Sequence, residues 1–241
     1  MTVRGHEMEL LIKGSVELNK MFMALQRTAS GLRRDFGEIE NLQQSLRGAR
    51  DFVNKAAARI EESILNDLLL VRPNAGLLTP NVSRVGGGRD EFVLALSGAS
   101  NFVRGNPHFA ISLALRSNDE TKIALVYSPI DERLYYAEED IGAYVFSAYH
   151  SARLKVSNLS EPTDLTVGYY ESDKIPVAAN VRCTGCPALD LAWVAAGKMD
   201  AYVSAPLDFA EIAAGEFIVR AAGGHVEMTD VLTATNGHVE I

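Results

Sequence analysis

The stretch LALSGASNFVRGNPHFAISLAL, residues 94–115, reads as a strand, a loop of small residues and a second strand. Small residues let backbone N–H groups approach an anion closely, an arrangement that suits a phosphate site. Yet no acidic residue stands between positions 94 and 109, and Mg²⁺-assisted phosphate chemistry needs carboxylates among its six oxygen ligands. The loop serves equally well as tight turns at Gly98 and Gly105. Other chemistries find less support. Ser97 sits in SGAS rather than a G-x-S-x-G elbow, and no motif places His108 or His150 as its base. The glycines at 86–88 precede RDEF and a strand, the wrong order for a nucleotide turn that opens a helix. The cysteine pair in CTGC, Cys183 and Cys186, is half a zinc site at most and lacks a thioredoxin-like context. Cys186 reads better as a small residue at a crowded helix start, with Pro187 in the first turn.

The elements that must position these residues follow from apolar periodicity. Spacings of three and four in MELLIKGSVELNKMFMAL and DFVNKAAARIEESILNDLLL predict two helices, joined by the charged, Gly-punctuated SGLRRDFGEIENLQQSLRG as a connection of partly helical character. Pro73, Pro80 and the glycines at 86–88 predict a break in regular structure. FVLALSG, FAISLALRS, KIALVYSPI and RLYYAEE then read as an antiparallel meander, with IGAYVFSAYHSARLKVSN and LTVGYY as further edge elements of the same half. The last third alternates: a strand near IPVAANVR, a helix from Pro187, the strand DAYVSA, and a helix FAEIAAGEFIVRAA closed by Gly223 and Gly224. Layers of sheet and helix in both halves predict an α+β or mixed α/β protein with a cleft between the halves.

Composition narrows the function classes. The chain has 241 residues, 47% of them hydrophobic, and a formal net charge of −8, so direct binding to nucleic acid or to an anionic membrane is electrostatically unfavourable. No apolar run approaches the length of a membrane span, and MTVRGHEMELLIKG lacks a signal-peptide core. The expectation is a cytoplasmic protein.

Three segments, in order, resemble the inositol monophosphatase family of magnesium-dependent sugar and inositol phosphatases. SGASNFVRGNPHFAISLAL is similar to its D-G-T-x-N-F-x-x-G-x-P block. TGCPALDLAWVAAGKMDAYV is similar to G-S-A-A-L-D-L-A-x-V-A-A-G-x-x-D-x-Y, and FAEIAAGEFIVRAAGGHV to W-D-x-A-A-G-x-x-I-V-x-E-A-G-G. The resemblance spans about residues 45–237. It implies one domain over 1–241, a layered α/β/α/β sandwich with an N-terminal helix and sheet half (about 1–160) and a C-terminal α/β half (about 161–241), paired into a homodimer. It also implies Mg²⁺ ions held by carboxylates, one activating water and another neutralising the leaving alkoxide.

Carried over residue by residue, the family pattern places its two metal-bridging aspartates on Leu94 and Ser97 and its G-E-E on Thr79, Pro80 and Asn81. The aspartate of W-D falls on Glu211, the aspartate of an early T-x-x-D segment on Asp51, and a substrate-touching acid on Ser204. Gly98, Ala99, Ser100, Gly185 and Cys186 are the implied phosphate or substrate cradle; Ser97 and Glu211 are the residual metal candidates. Glu211 has another reading, as the partner of Asp208 in a capping box. Asp51 reads equally as a helix-start acid. The resemblance thus implies a pseudoenzyme: a catalytically impaired or inactive protein, Mg²⁺ doubtful, that binds or scaffolds a phosphate-containing small molecule or a protein. The alternatives are an active phosphomonoesterase on inositol phosphate or a related sugar or nucleotide phosphate, and a regulatory partner of transcription or RNA-processing machinery.

Overall fold

The computed structural model describes residues 12–42, 46–80, 82–85, 88–171 and 180–239, of which the side chains of 40–42, 46–54, 56–57 and 82–85 are excepted. Two long helices, α1 (Val16–Leu42) and α2 (Leu46–Val71), precede eight strands: β1 (Gly76–Thr79), β2 (Val82–Val85), β3 (Asp90–Ser97), β4 (Ala110–Ser117), β5 (Glu120–Ser128), β6 (Arg133–Glu138), β7 (Gly142–Ser147) and β8 (His150–Arg153). A short helix, α3 (Ala99–Val103), bridges β3 and β4. The eight strands form one sheet in the order β2-β1-β3-β4-β5-β6-β7-β8. The chain continues through β9 (Thr166–Tyr170), β10 (Asn180–Arg182), α4 (Pro187–Ala195), β11 (Ala201–Ser204), α5 (Phe209–Ala221), β12 (His225–Met228) and β13 (Leu232–Thr235), whose strands make a second sheet, β10-β9-β11-β13-β12.

Both faces of the large sheet are buried, and side-chain size divides them. One face presents Phe92, Leu94, Ile111, Leu113, Leu125 and Tyr136 to α1 and α2. The other presents smaller residues, Val93, Ala95, Ala110, Ala114, Ala124 and Ala137, to α4 and α5. Small residues on this face let α5, itself built on Ala210, Ala213, Ala214 and Gly215, lie close to the strands. Gly215 in turn meets α4 so closely that a Cβ there would stand 2.7 Å from the Leu191 side chain. The second sheet covers the outer side of α4 and α5, with Val226, Leu232 and Ala234 in the shared core. The layers are therefore α/β/α/β, as the resemblance implies.

Three local expectations are corrected. The Gly-punctuated connection after position 30 continues as helix to Leu42. Gly31 and Gly37 lie on its open side, where a Cβ would meet nothing, while Leu25, Ala29, Leu32 and Ile39 keep a buried seam. The predicted break after Val71 holds two short strands. Pro73 and Pro80 flank β1 instead of interrupting it, and β1 is drawn into the sheet by parallel pairing with β3, Leu77 opposite Phe92. LTVGYY is not an edge of the large sheet: β9 runs inside the second one, parallel to both β10 and β11. Parallel neighbours need a long crossover, and α4 lies within the one that leads from β9 to β11.

Candidate functional site

The C-terminal end of β3 delivers Ser97 and Gly98 to the N-terminus of α4. Ser97 falls on the face of β3 that carries Val93 and Ala95, and it is fully buried. Its Oγ accepts a hydrogen bond from the Ala188 N–H (3.2 Å), in the first turn of α4. The Cys186 Sγ lies 3.5 Å from the Ser97 carbonyl oxygen and 3.6 Å from its Oγ. Cys186 is the N-cap residue of α4 with Pro187 after it, and burial pushes its thiol up to about 12. A buried, protonated thiol is no nucleophile at neutral pH. Cys183 and Cys186 are both free, the first exposed.

Leu94 stands on the opposite face of β3, 1% exposed, packed in the core beneath α1 and α2. The two positions aligned with metal-bridging aspartates are thus an aliphatic side chain in one core and a hydroxyl turned into the other. Thr79 is buried on β1, Pro80 is exposed, and Asn81 lies outside the described residues. The Asp51 side chain also lies outside them; its backbone belongs to α2.

Gly98 takes a left-handed φ of 80° and precedes α3. Ala99 and Ser100 are exposed; as the first residues of α3, their N–H groups have no acceptor within the helix. Asn101 ties this loop to its neighbours: its Nδ2 donates to the His108 carbonyl and to the Thr184 carbonyl, each at 2.8 Å. Gly185, φ 76°, packs over the same amide, where a Cβ would lie 3.5 Å from Nδ2. Asn101 entered the sequence reading only as a letter of the matched block. Its role as a stitch between segments 83 positions apart has no signature in local pattern.

Below Gly185, Thr184 Oγ1 donates to the Asp190 carboxylate at 2.7 Å and accepts from the Cys186 N–H at 3.2 Å. Asp190 is fully buried on α4, so its role is internal hydrogen bonding. Burial raises its pKa to about 7, against the lowering effect of the Thr184 bond. Beside it the Tyr202 hydroxyl is buried, and burial, then the Asp190 charge, raises the Tyr202 phenol against the lowering effect of Ser204. Glu211, in the first turn of α5, is partly buried. Burial and then the Asp208 charge raise its pKa. Asp208 caps α5 by accepting from the Ala210 N–H at 2.8 Å, while the Glu211 N–H goes to the Asp208 carbonyl, so the N-cap forms and neither bond of a capping box is present among the described residues.

The Asp190 shift has a testable sign. A carboxyl with a folded pKa near 7 and an ordinary value of 3.8 contributes stability at low pH, and the contribution is lost as pH rises through 7. Asp190→Asn keeps an acceptor for Thr184 without a titrating proton. It is expected to melt about 5 °C above the unchanged protein at pH 8, with the gap narrowing below pH 7 and closing near pH 4; melting temperatures across that range check this.

A layered α/β/α/β sandwich with small-residue loops converging on the α4 N-terminus defines the fold class. Residues 15–233 match the profile of the Inositol monophosphatase family, and the chain belongs to that family. Among its relatives, an "Inositol-1-monophosphatase" of Rhizobium meliloti (strain 1021) is 35% identical over 228 residues, covering 87% of this chain and 84% of that protein. A "Nus factor SuhB" of Pasteurella multocida (strain Pm70) is 30% identical over 227 residues, covering 87% and 84%. The crystal structure of extragenic suppressor protein suhB from Bartonella henselae superposes with a TM-score of 0.80 at 30% identity, covering 93% of this chain and 95% of that one.

Proposed function

We propose that this chain is a noncatalytic member of the inositol monophosphatase family, a single-domain, cytoplasmic and homodimeric protein that binds or scaffolds instead of hydrolysing. The observation that carries this is the Ser97 hydroxyl, fully buried and accepting the Ala188 N–H, where the family pattern calls for a bridging aspartate. Leu94, packed in the other core, supports the same reading. Mg²⁺ prefers an octahedral set of hard, charged oxygens. At the two aligned positions Leu94 offers no oxygen and Ser97 a neutral hydroxyl that already accepts an N–H, a donor set poor in the charge that Mg²⁺ prefers. The Ala99 and Ser100 N–H groups, with Gly98 and Gly185 allowing close approach and the buried Cys186 closing the floor, form the cradle for a phosphate group. Asp51 and Glu211 are remnants of the acidic set.

Purified protein with Mg²⁺ and inositol monophosphate is expected to release phosphate at less than about one thousandth of an ordinary enzyme's 1–1,000 per second. Calorimetric titration with Mg²⁺ should show no binding heat. Turnover in the ordinary range, abolished by Glu211→Gln, would overturn the proposal in favour of an active phosphomonoesterase.

A second reading, regulation of transcription through a protein contact, is favoured by relatives named Nus factor SuhB at 29–30% identity. With a net charge of −8, contact with a protein is easier than contact with nucleic acid. Recovery of transcription proteins with tagged protein from its native host, at stoichiometric yield, is the result this reading requires.

A further inference from the structure

The far end of α4 borders a second concave surface, independent of the reading above. A groove of about 410 Å³ lies between the β6-β7-β8 edge of the large sheet and the turn that follows α4. Its floor is Tyr135, Val145 and Ala152, which pair across the three strands on the face turned toward α4. Arg133 precedes Tyr135 by two positions on β6 and His150 precedes Ala152 by two on β8, so strand alternation brings both to that face. Lys198 arrives from the opposite wall. Its turn is held because Gly197, φ 64°, packs against the Lys155 carbonyl and the Ser157 N–H, each 3.2 Å from where a Cβ would stand. Lys198 Nζ donates to the Tyr135 hydroxyl at 3.2 Å and lies 5.8 Å from the centre of the Trp193 ring.

Charge makes this groove unlike the rest of the molecule. The chain carries 31 acidic against 23 basic residues, yet the lining holds Arg133, Lys155 and Lys198 with His150, and no Asp or Glu; Arg153, opposite Tyr144, turns to the other face and lies against Gly142. Several cations elsewhere are neutralised: Arg27, Arg33, Arg72, Arg116, Lys122 and Arg220 form ion pairs. None of Arg133, Lys155 and Lys198 has a carboxylate within ion-pair distance among the described residues. Like charges gathered on a concave surface repel one another, and an anion that fills the space relieves the repulsion.

We propose that this groove binds a small polyanion bearing two or more phosphate charges, of the size of a diphosphate or triphosphate compound. Its volume lies within the range of small-molecule sites, and Arg and Lys together supply forked and point-like donors for phosphate oxygens. A nucleic-acid strand would run out of the groove onto a surface whose net charge repels it.

Inorganic tripolyphosphate is the probe, read by calorimetry and by Trp193, the chain's single tryptophan. Saturable one-site binding is expected at about 50 mM KCl, weakening as salt rises. Lys198→Ala and Arg133→Ala should each weaken it about tenfold, whereas Lys20→Ala, on the exposed side of α1, should not. Unchanged melting temperatures verify that the variants are folded, and either position alone decides the matter. No saturation below about 1 mM, or equal binding by both groove variants, overturns the proposal. So does an oligonucleotide whose affinity rises with length and which tripolyphosphate does not displace.

Discussion

Leu94→Asp is expected to lower the stability of the protein by about 5 kcal/mol. Removing the buried side chain forfeits about 2–3 kcal/mol of apolar burial, and the incoming carboxyl, with no hydrogen-bond partner in that core, costs about 1–3 kcal/mol more even when protonated. The surroundings leave it no escape: Leu94 is 1% exposed, and its neighbours on that face of the sheet are Phe92, Ile111, Leu113 and the buried seam of α1 and α2. Urea denaturation of the variant beside Leu94→Met, a swap that conserves volume and should cost less than about 1.5 kcal/mol, measures the difference. The substitution restores the charge found in the family pattern, so its effect also bears on the proposed function. If Mg²⁺ stabilised Leu94→Asp, the carboxylate would be reaching an ion, and position 94 would belong to a metal site instead of to the core. The expected result is a loss that added Mg²⁺ does not repair.

How far the site could be read from sequence depends on the range over which each partner lies. Short β-rich segments between turns made β3 to β6 legible as an antiparallel meander, and they pair antiparallel in that order, Phe92 with Leu115 and Leu113 with Leu125. Alternation does not say which layer each face meets, so the split between large residues under α1 and α2 and alanines under α5 emerged only in three dimensions. The same limit put LTVGYY in the wrong sheet: its partner β11 lies more than thirty positions away, beyond α4. Gly31 and Gly37 misled in another way. Their cost to a helix is about 1 kcal/mol each, and the buried seam of Leu25, Ala29, Leu32 and Ile39 outweighs it. At the site, residue identity disclosed the missing carboxylates, but not where the replacements point. That Ser97 answers an N–H 91 positions away, and that Thr184 is bonded to a buried Asp190, are facts of tertiary structure.

The second large effect is expected at Gly98, the residue on which the loop turns. Gly98→Ala should cost about 3 kcal/mol, for two reasons that act together. A left-handed φ of 80° is one that an L side chain resists by about 1–2 kcal/mol. The added Cβ would also stand 2.9 Å from the His108 carbonyl oxygen and 3.1 Å from the Phe109 Cα, both backbone atoms, and 3.2 Å from the Cys186 Cβ. Backbone cannot rotate away as a side-chain tip can, so the loop must move as a body. That movement would pull on the Asn101 bonds to His108 and Thr184, and through them on the start of α4. The alternative reading, Gly98 as a plain turn residue, predicts only the conformational cost. Denaturation of Gly98→Ala beside Gly223→Ala discriminates the two: Gly223 has φ 92° and no atom within 4 Å of a Cβ, so it isolates the backbone term. A loss at Gly98 no larger than at Gly223 would mean that the loop is not held by close approach. A loss about 1–2 kcal/mol larger would show that the convergence of β3, the 104–109 loop and α4 is a packed unit whose shape is maintained without the charges that the family pattern places there.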